Sequence, residues 1–322
     1  MSISLSSLGN LLTNCIGIPL FIGGLFGNCL NLIVFLSLRT FRQSSCIIYL
    51  TVMSILNIGQ LLSGLLPRLF ITLFDLDGND TSLFYCKFRP YIFHVCTVGS
   101  LSCLCLATFD QYCATCSRPR QQAWCNTRLA KQLASLNLLI WVIHGIPYLI
   151  LFYQTVSPAT NQVSCVSTDW IFAQYRSYVI VLVLLGFGPV LIATIFGLLA
   201  FGNVKQMAFR AVPLVRQALD KQLTSMVLVQ VIVNMFTIFP HTIINMLMTI
   251  PNLINEPDLH KTFLFIFSLT LLNYYLYFAS PFYIYICTSE RFRKQLSHVL
   301  WKIHFNRCLQ LNVPNNLVRP AT

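Results

Sequence analysis

The stretch Tyr91–Cys113 reads YIFHVCTVGSLSCLCLATFDQYC and holds one charged side chain, Asp110. A helix rises ~1.5 Å per residue and the hydrocarbon core of a bilayer is ~30 Å thick, so roughly 20 apolar residues can cross it. A helix also bonds all of its backbone polar groups internally, as a medium without water requires. This stretch is therefore predicted to span a membrane.

Six further stretches share these properties, and a spanning helix is predicted in each. The seven predicted spans are Ile16–Leu38, Ile47–Phe70, Tyr91–Cys113, Leu133–Tyr153, Tyr178–Phe201, Leu223–Ile250 and Phe263–Cys287. The composition agrees, because 56% of residues are hydrophobic and only 9% are charged, whereas an ordinary soluble domain is roughly 25% charged. The predicted fold class is an all-α membrane protein with a bundle of seven transmembrane helices.

The basic residues predict the orientation, because short loops rich in Lys and Arg stay on the cytoplasmic side. With the N-terminus outside, the inner side holds 16 of the 21 Lys and Arg and three of the nine acids. We therefore expect a multi-pass protein of the plasma membrane with an extracellular N-terminus. Residues 1–15 are assigned to that terminus, 16–287 to the seven-span domain and 288–322 to a cytoplasmic tail.

The excess of basic residues, a net charge of +12, is spread over inner loops beside apolar helices. Anionic lipid head groups are the natural partner of such loops, and no nucleic-acid partner is expected. A transporter or channel would usually carry ionisable groups at mid-membrane, but here only Arg68 and Asp110, near span ends, come close. The chain also lacks paired carboxylates and metal-ligand spacings, so we expect no enzymatic activity, metal or cofactor.

Two cysteines stand apart from those inside the spans. Cys86 lies just before span three, and Cys165 lies mid-way along the loop between spans four and five. Both are on the predicted oxidising side, where a bridge between them would pin the loop over the mouth of the bundle, although Cys15 is a competing partner. Asn79 begins a glycosylation sequon in the loop after span two. Cys308, in the basic tail, is a candidate for palmitoylation or an unmodified cysteine.

Other motifs recur in a fixed order along the spans. They are Gly27-Asn28 in span one, Asp110-Gln111-Tyr112 with its glutamine 25 residues after Cys86, Trp141 with Pro147 in span four, and Pro189, Pro240 and Pro281 in spans five, six and seven. The chain resembles a rhodopsin-like (class A) G-protein-coupled receptor along nearly its whole length, closest in character to peptide-type or orphan members. The resemblance implies that an agonist in an outer cavity lets span six pivot near Pro240 and opens a cleft for a heterotrimeric G protein.

The segment after span seven, Thr288-Ser289-Glu290-Arg291-Phe292, resembles the start of the short eighth helix of this family. Apolar residues recur there at helical spacing, and they are Phe292, Leu296, Val299, Leu300 and Ile303. This stripe predicts an amphipathic helix that lies on the membrane surface.

Some of the switch positions that the resemblance implies depart from the family. The switch positions are Asp110, Gln111, Tyr112, Asp220, Pro240 and Pro281. Gln111 replaces an arginine, so we expect a neutral hydrogen bond between Gln111 and Asp220 in place of an ionic latch. Asn57 replaces the aspartate of the family's sodium site, and weak sodium sensitivity is expected. The family's Asn-Pro-x-x-Tyr motif here reads Ser280-Pro281-Phe282-Tyr283-Ile284-Tyr285. These changes indicate a divergent receptor, or one that no longer couples in the usual way.

Polar side chains in the outer halves of the spans are the candidate ligand contacts, because burying them in lipid is expensive. They are His94 and Thr97 in span three, His241 and Asn245 in span six, and Asn273, Tyr274 and Tyr277 in span seven. The alternative is that they hydrogen-bond one another between helices. Phe93 stands where amine receptors place an aspartate, so a monoamine ligand is not expected. Tyr274 stands where opsins place a lysine, so light sensing is not expected. A small neuropeptide is the leading ligand class; the alternatives are a chemosensory receptor for external small molecules and a decoupled receptor-like protein.

Overall fold

The computed structural model describes residues 5–37, 44–74, 77–78, 82–156, 163–207, 214–248 and 257–311. Within them, seven helices are long and apolar enough to cross a membrane, which confirms the predicted bundle. These spans, numbered one to seven, are Ser7–Ser37, Ser45–Phe74, Leu83–Thr115, Thr127–Leu151, Trp170–Gln206, Asp220–Met248 and Leu259–Ala279. The helices that carry spans one, six and seven are slightly longer, at Leu5–Ser37, Leu214–Met248 and Pro257–Ala279.

Shorter elements connect and extend the spans. A helical turn, Pro119–Gln122, lies between spans three and four. Strands Phe152–Val156 and Val163–Ser167 pair antiparallel between spans four and five, and we call them the hairpin. Span seven is interrupted at Ser280, resumes as Pro281–Thr288, and is followed by a helix at Glu290–Leu311, which we call the tail helix. The tail helix confirms the predicted eighth helix.

Several helices begin earlier than the apolar signal indicates. Span one is helical from Leu5 rather than Ile16, because residues 5–15 contain no charge or proline to stop the helix. Span five is helical from Trp170 rather than Tyr178, since the Asp169 carboxylate accepts a hydrogen bond from the Phe172 backbone N–H at 2.9 Å and caps the helix start. Hydropathy marks the hydrocarbon-crossing part of a helix, whereas capping marks its true end.

The main core is one buried cluster that draws on all seven spans, with span three at its centre. A second cluster packs under the hairpin and consists of Tyr148, Phe152, Phe172 and Ile180. The remaining large apolar side chains, such as Phe236 and Leu191, are exposed on the outside of the bundle, where lipid would cover them. The tail-helix stripe is partly covered: Phe292 and Val299 are buried, whereas Leu300 is exposed.

A proline breaks the hydrogen-bond ladder of span six, and a neighbouring span repairs the break. Pro240 has no N–H, so the carbonyl of Phe236, four residues earlier, lacks its helical donor. The side-chain amide of Asn273, in span seven, donates to that carbonyl at 2.8 Å and also lies 3.5 Å from the Thr237 carbonyl. This contact ties span six, at its proline, to span seven.

The same repair occurs at two other prolines. In span two, Pro67 frees the carbonyl of Ser63, and the Arg89 Nε of span three donates to it at 3.1 Å. In span seven, the proline after Ser280 frees the carbonyl of Tyr277, and the Ser280 hydroxyl donates to it at 3.4 Å. Polar side chains near these prolines therefore have a structural role before any ligand is considered.

Candidate functional site

The two ends of the bundle carry different features. The disulfide end carries the bridge between Cys86 and Cys165, whose Cα atoms are 5.7 Å apart. The opposite end, which we call the tail-helix end, carries Gln111 and the tail helix. The predicted bridge is confirmed, and Cys15 is a free thiol. Because Cys165 is the middle residue of the second strand, opposite Gln154, the bridge fixes the whole hairpin to the start of span three.

A cavity of about 440 Å³ lies at the disulfide end between spans three, five, six and seven, and Tyr148 of span four also lines it. Its volume falls within the range of roughly 300–1,000 Å³ that is usual for small-ligand pockets. Most of its wall is aromatic or aliphatic, and its polar lining residues are His94, Thr97, Tyr148, Arg176, Ser177, His241, Thr242, Asn245 and Tyr274. None of the described lining residues is acidic, so Arg176 gives the cavity a positive edge.

Five of the seven predicted ligand contacts line this cavity: His94, Thr97, His241, Asn245 and Tyr274. Their role as ligand contacts stays a prediction. The alternative of bonds between helices also holds for some of them, because the Tyr274 hydroxyl in span seven donates to the Thr97 hydroxyl in span three at 3.4 Å.

The other two predicted contacts lie elsewhere. Asn273 is the residue before Tyr274, about 100° round the helix, and this rotation turns its amide to span six rather than into the cavity. Tyr277 lies nearly one turn deeper than Tyr274, fully buried, with its hydroxyl 4.0 Å from the Met53 sulfur. Residue type and depth suggested both positions, but the direction of each side chain removes them from the cavity wall.

A chain of hydrogen bonds leaves the cavity wall through span four. His94 Nε2 is 2.9 Å from His144 Nδ1, and His144 Nε2 is 2.8 Å from the Tyr175 hydroxyl. The His94 ring also stacks on Tyr148, with 5.0 Å between centroids. Each contact needs one donor and one acceptor, so the tautomer of the His94 ring fixes the tautomer of the His144 ring.

His241 is held from both ring nitrogens. Its Nε2 accepts from the Asn245 amide at 2.8 Å, since the amide nitrogen can only donate. Its Nδ1 therefore carries the proton and faces the Thr270 hydroxyl oxygen at 3.4 Å. The ring lies 5.0 Å from Tyr274 and 5.1 Å from Phe267, measured between centroids. A neutral imidazole held in this way has no acceptor left, and it can donate to a ligand only from Nδ1, in place of its long contact with Thr270.

Sequence reasoning missed Arg176 as a cavity residue, because it was counted with the loop before span five. The helix begins at Trp170, so Arg176 lies one and a half turns inside it and reaches the cavity edge. Its guanidinium carbon is 5.9 Å from the centre of the Phe152 ring in the hairpin. The N-cap residue Asp169 was the sequence signal that could have moved the predicted helix start.

The tail-helix end contains the altered switch residues. The Ser45 hydroxyl donates to the Asp110 carboxylate at 2.8 Å, and the Thr224 hydroxyl donates to Gln111 Oε1 at 3.0 Å. The expected bond between Gln111 and Asp220 is corrected here, since the donor is Thr224, one turn further along span six. Tyr112 packs against Phe196 of span five, with 5.6 Å between ring centroids.

Span six also contacts the tail helix. The Gln222 side-chain oxygen lies 3.2 Å from the Ser289 hydroxyl and 3.3 Å from the Arg291 backbone N–H, and both groups donate to it. On the far side, Gln295 donates to the Ser37 hydroxyl at 2.8 Å. The start of the tail helix is thus fastened to spans six and one.

The altered motif of span seven places its two tyrosines on different faces. Pro281 begins the second part of the helix and is buried. Tyr283 is exposed and donates to the Gly23 carbonyl at 3.2 Å, whereas Tyr285 is fully buried beside Phe35 and Phe292. The position three residues after Pro281, where the family's motif has its tyrosine, is Ile284, and neither tyrosine takes its place.

The position of the family's sodium-site aspartate is part of a neutral network. The Asn57 amide donates to the Asn28 side-chain oxygen at 3.3 Å, and the Ser100 hydroxyl donates to the Asn57 oxygen. The Asn28 amide in turn donates to the Phe278 carbonyl at 2.9 Å. Without a carboxylate, weak sodium sensitivity stays the prediction.

Three sequence features fall at the margins of the structure. Asn79 lies outside the described residues, and so do the side chains of Ile303 and Cys308.

Cys125, in the loop between spans three and four, donates its thiol to the Asp110 backbone carbonyl at 3.3 Å. Burial raises the pKa of the Cys125 thiol, and the Asp110 carboxylate raises it further.

A bundle of seven membrane-spanning helices, with a hairpin tied to span three by a disulfide and a ligand-sized cavity at the same end, defines a seven-transmembrane receptor. The model of the seven-transmembrane receptors of the rhodopsin family matches residues 27–282, and the chain belongs to that family. No curated protein shows significant sequence similarity to the chain.

Proposed function

We propose that the chain is a plasma-membrane receptor whose disulfide end faces outside the cell, and that it transmits the binding of a small neuropeptide to a heterotrimeric G protein. The observation that carries this proposal is the cavity of about 440 Å³ at the disulfide end, opposite the cleft residues Gln111 and Thr224. The charge asymmetry of the loops supports the orientation. Membership of the rhodopsin family supports a signalling role, and members are typically not enzymes.

The lining chemistry favours a ligand with an acidic or neutral end. A cationic amine would lose its hydration and find no carboxylate among the described lining residues, which is costly in an apolar wall. A carboxylate would instead meet the Arg176 guanidinium, the kind of partner that binds it through two N–H donors. A cavity of this size takes the last few side chains of a peptide, and the rest of the peptide would lie along the hairpin.

A chemosensory receptor is the second candidate, and the same volume supports it because a whole small molecule fits inside. The two functions differ in what the hairpin does. A peptide that extends beyond the cavity should lose affinity when the exposed hairpin residue Tyr153 is changed to alanine. A small molecule contained between His94, His241 and Tyr274 should not.

Coupling would use the bond between Thr224 and Gln111. A neutral hydrogen bond contributes roughly 0.5–1.5 kcal/mol, so it favours the closed arrangement only about 2- to 13-fold. An agonist opens span six only to the extent that it binds the open arrangement more tightly. A weak latch of this kind predicts raised basal activity in a receptor that couples, and an uncoupled receptor would show none.

The test is a panel of G-protein activation sensors in cells that express the natural chain, with and without a peptide library. Thr224→Val removes the donor and should raise basal activity severalfold, whereas Thr224→Ser keeps the hydroxyl and serves as the matched control. Gln111→Arg tests the altered position directly. Signal from the natural chain supports the proposal; silence in the natural chain with signal in Gln111→Arg would identify a decoupled receptor.

A further inference from the structure

Span six reaches the first turn of the tail helix through the side chain of Gln222. The side-chain oxygen accepts from the Ser289 hydroxyl at 3.2 Å and from the Arg291 backbone N–H at 3.3 Å. The first N–H groups of any helix lack an acceptor within that helix, so a side chain from outside can satisfy them. The next amide, that of Phe292, donates to the Ser289 hydroxyl at 3.2 Å. Part of the cap of the tail helix therefore belongs to another span.

Two further attachments hold the tail helix to spans one and seven. The Gln295 amide donates to the Ser37 hydroxyl of span one at 2.8 Å, and Arg293 Nη1 donates to the Ile286 carbonyl in the second part of span seven at 2.7 Å. The Phe292 ring is fully buried between these spans, beside Phe35 and Tyr285. These contacts do not involve span six, so they can stay in place when span six moves.

The Gln222 contact lies far from the pivot that the proposed function gives to span six. Gln222 is 18 residues before Pro240, which is about 27 Å along the helix. A tilt of about 5° away from the tail helix therefore displaces Gln222 by roughly 2 Å, and hydrogen bonds of 3.2 and 3.3 Å do not survive that displacement. The bond between Thr224 and Gln111 lies at nearly the same distance from Pro240, so one movement breaks both contacts.

Gln222 and Thr224 hold span six from two directions. They are two residues apart, about 200° round the helix, and Gln222 meets the tail helix whereas Thr224 meets span three. A neutral hydrogen bond favours the arrangement that contains it about 2- to 13-fold. Since Gln222 accepts two such bonds, its contact favours the closed arrangement at least as strongly as the single bond of Thr224.

We propose that Gln222 is a second latch, which joins span six to the tail helix in the closed arrangement and uncaps the first turn of that helix when span six opens. This role rests on the proposed function, because it requires span six to pivot near Pro240. The tail helix is then an element that responds to the position of span six. Its first turn is ordered while the latch is closed and frays when the latch opens.

The experiment compares two glutamines that hold the same helix to different spans. Gln222→Leu removes the acceptor on span six, and Gln295→Leu removes the donor to span one, so both should loosen the tail helix. Hydrogen exchange is measured on the purified full-length chain in nanodiscs, in peptides that cover residues 289–295. It should become about 2- to 13-fold faster in each variant.

The position of span six separates the two variants. Lys131 and Lys221 are exposed on spans four and six at the tail-helix end, and an azide-bearing amino acid at both positions takes a donor and an acceptor dye without modifying the native thiols. Single-molecule energy transfer then gives the ratio of open to closed molecules. Gln222→Leu should raise this ratio about fourfold or more, since two bonds are lost. Gln295→Leu should leave it unchanged, and so should Gln222→Glu, which keeps an acceptor oxygen.

An unchanged ratio in Gln222→Leu would overturn the proposal and leave Gln222 as a structural cap, even with faster hydrogen exchange. An equal rise in Gln222→Leu and Gln295→Leu would also overturn it, because any loosening of the tail helix would then suffice. Ser289→Ala removes one of the two donors and should raise the ratio about twofold or more, which keeps the test open if Gln222→Leu does not fold. Energy transfer needs no G protein, so a raised ratio in Gln222→Leu with silent activation sensors in the natural chain would refute coupling and support the latch.

Discussion

The contact between the Asn273 amide and the Phe236 carbonyl of span six yields a quantitative prediction. Asn273→Leu keeps the side-chain volume close to that of the natural residue and removes both amide donors. The Phe236 carbonyl, which the Asn273 amide meets at 2.8 Å, then has no helical donor because of Pro240. We expect the variant to be less stable than the natural chain, and we expect this loss of stability only while Pro240 is present.

The magnitude follows from measured hydrogen bonds in membranes. Side-chain bonds between transmembrane helices contribute about 0.6 kcal/mol on average and up to about 1.7. A carbonyl that faces lipid without a donor is desolvated as a buried one is, which costs roughly 1–3 kcal/mol. Asn273→Leu should therefore lower the free energy of unfolding by about 1–2 kcal/mol. In a Pro240→Ala background the new backbone N–H at position 240 supplies the donor, and the same change should cost under about 0.5 kcal/mol.

The assay is a double-mutant cycle on reversible unfolding of the purified receptor in mixed micelles with increasing dodecyl sulfate. The expected coupling energy between Asn273→Leu and Pro240→Ala is about 1 kcal/mol. Asn203→Leu is the control, because Asn203 donates to the Thr115 hydroxyl at 3.4 Å at the other end of the bundle and should be additive with Pro240→Ala. Additivity of Asn273→Leu with Pro240→Ala, within about 0.3 kcal/mol, would refute the repair of the broken ladder.

Three further outcomes can be checked on the same material. Replacing Cys86 and Cys165 together by alanine should lower the free energy of unfolding by about 2–5 kcal/mol, and an unchanged unfolding midpoint would contradict the structural role of the bridge. Tyr285→Phe should leave stability unchanged or raise it by up to about 1 kcal/mol, because the buried hydroxyl has no hydrogen-bond partner among the described residues; a clear loss of stability would show that the hydroxyl is hydrogen-bonded. Cys125 should react with N-ethylmaleimide more slowly than the exposed Cys287 from pH 7 to 9, because its raised pKa keeps the thiolate fraction low until the pH approaches that pKa; equal rates by peptide mass spectrometry would argue against its burial.

The sequence predicted the features that depend on local signals. Each span is a property of some twenty consecutive residues, and the bridge between Cys86 and Cys165 follows from where two cysteines fall relative to the spans. Five of the seven polar candidates line the cavity for a similar reason, since depth along a helix can be counted from its ends. His241 and Asn245 also share a face because they are four residues apart.

Features that depend on how one helix is rotated against another could not be predicted. Nothing near Asn273 indicates that its amide faces a carbonyl freed by a proline in span six. For the same reason, the sequence could not decide whether Asp220 or Thr224, one turn apart on span six, contacts Gln111. The packing of the helices places Thr224 there. Apolar side chains such as Phe236 face lipid rather than a polar solvent, so hydropathy carries little information about rotation in a membrane helix.

The hairpin has a consequence for the order in which the protein matures. Two strands alone are at best marginally stable in water, so the pair Phe152–Val156 and Val163–Ser167 depends on the bridge to Cys86 and on the aromatic cluster of Tyr148 and Phe172. Insertion of the spans and closure of the bridge are therefore separate events, and the hairpin is fixed beside Tyr148, a residue of the cavity wall, only after the second. A preparation made in a reducing compartment would contain inserted helices with an unfixed hairpin, so ligand screens require material that has passed through an oxidising one.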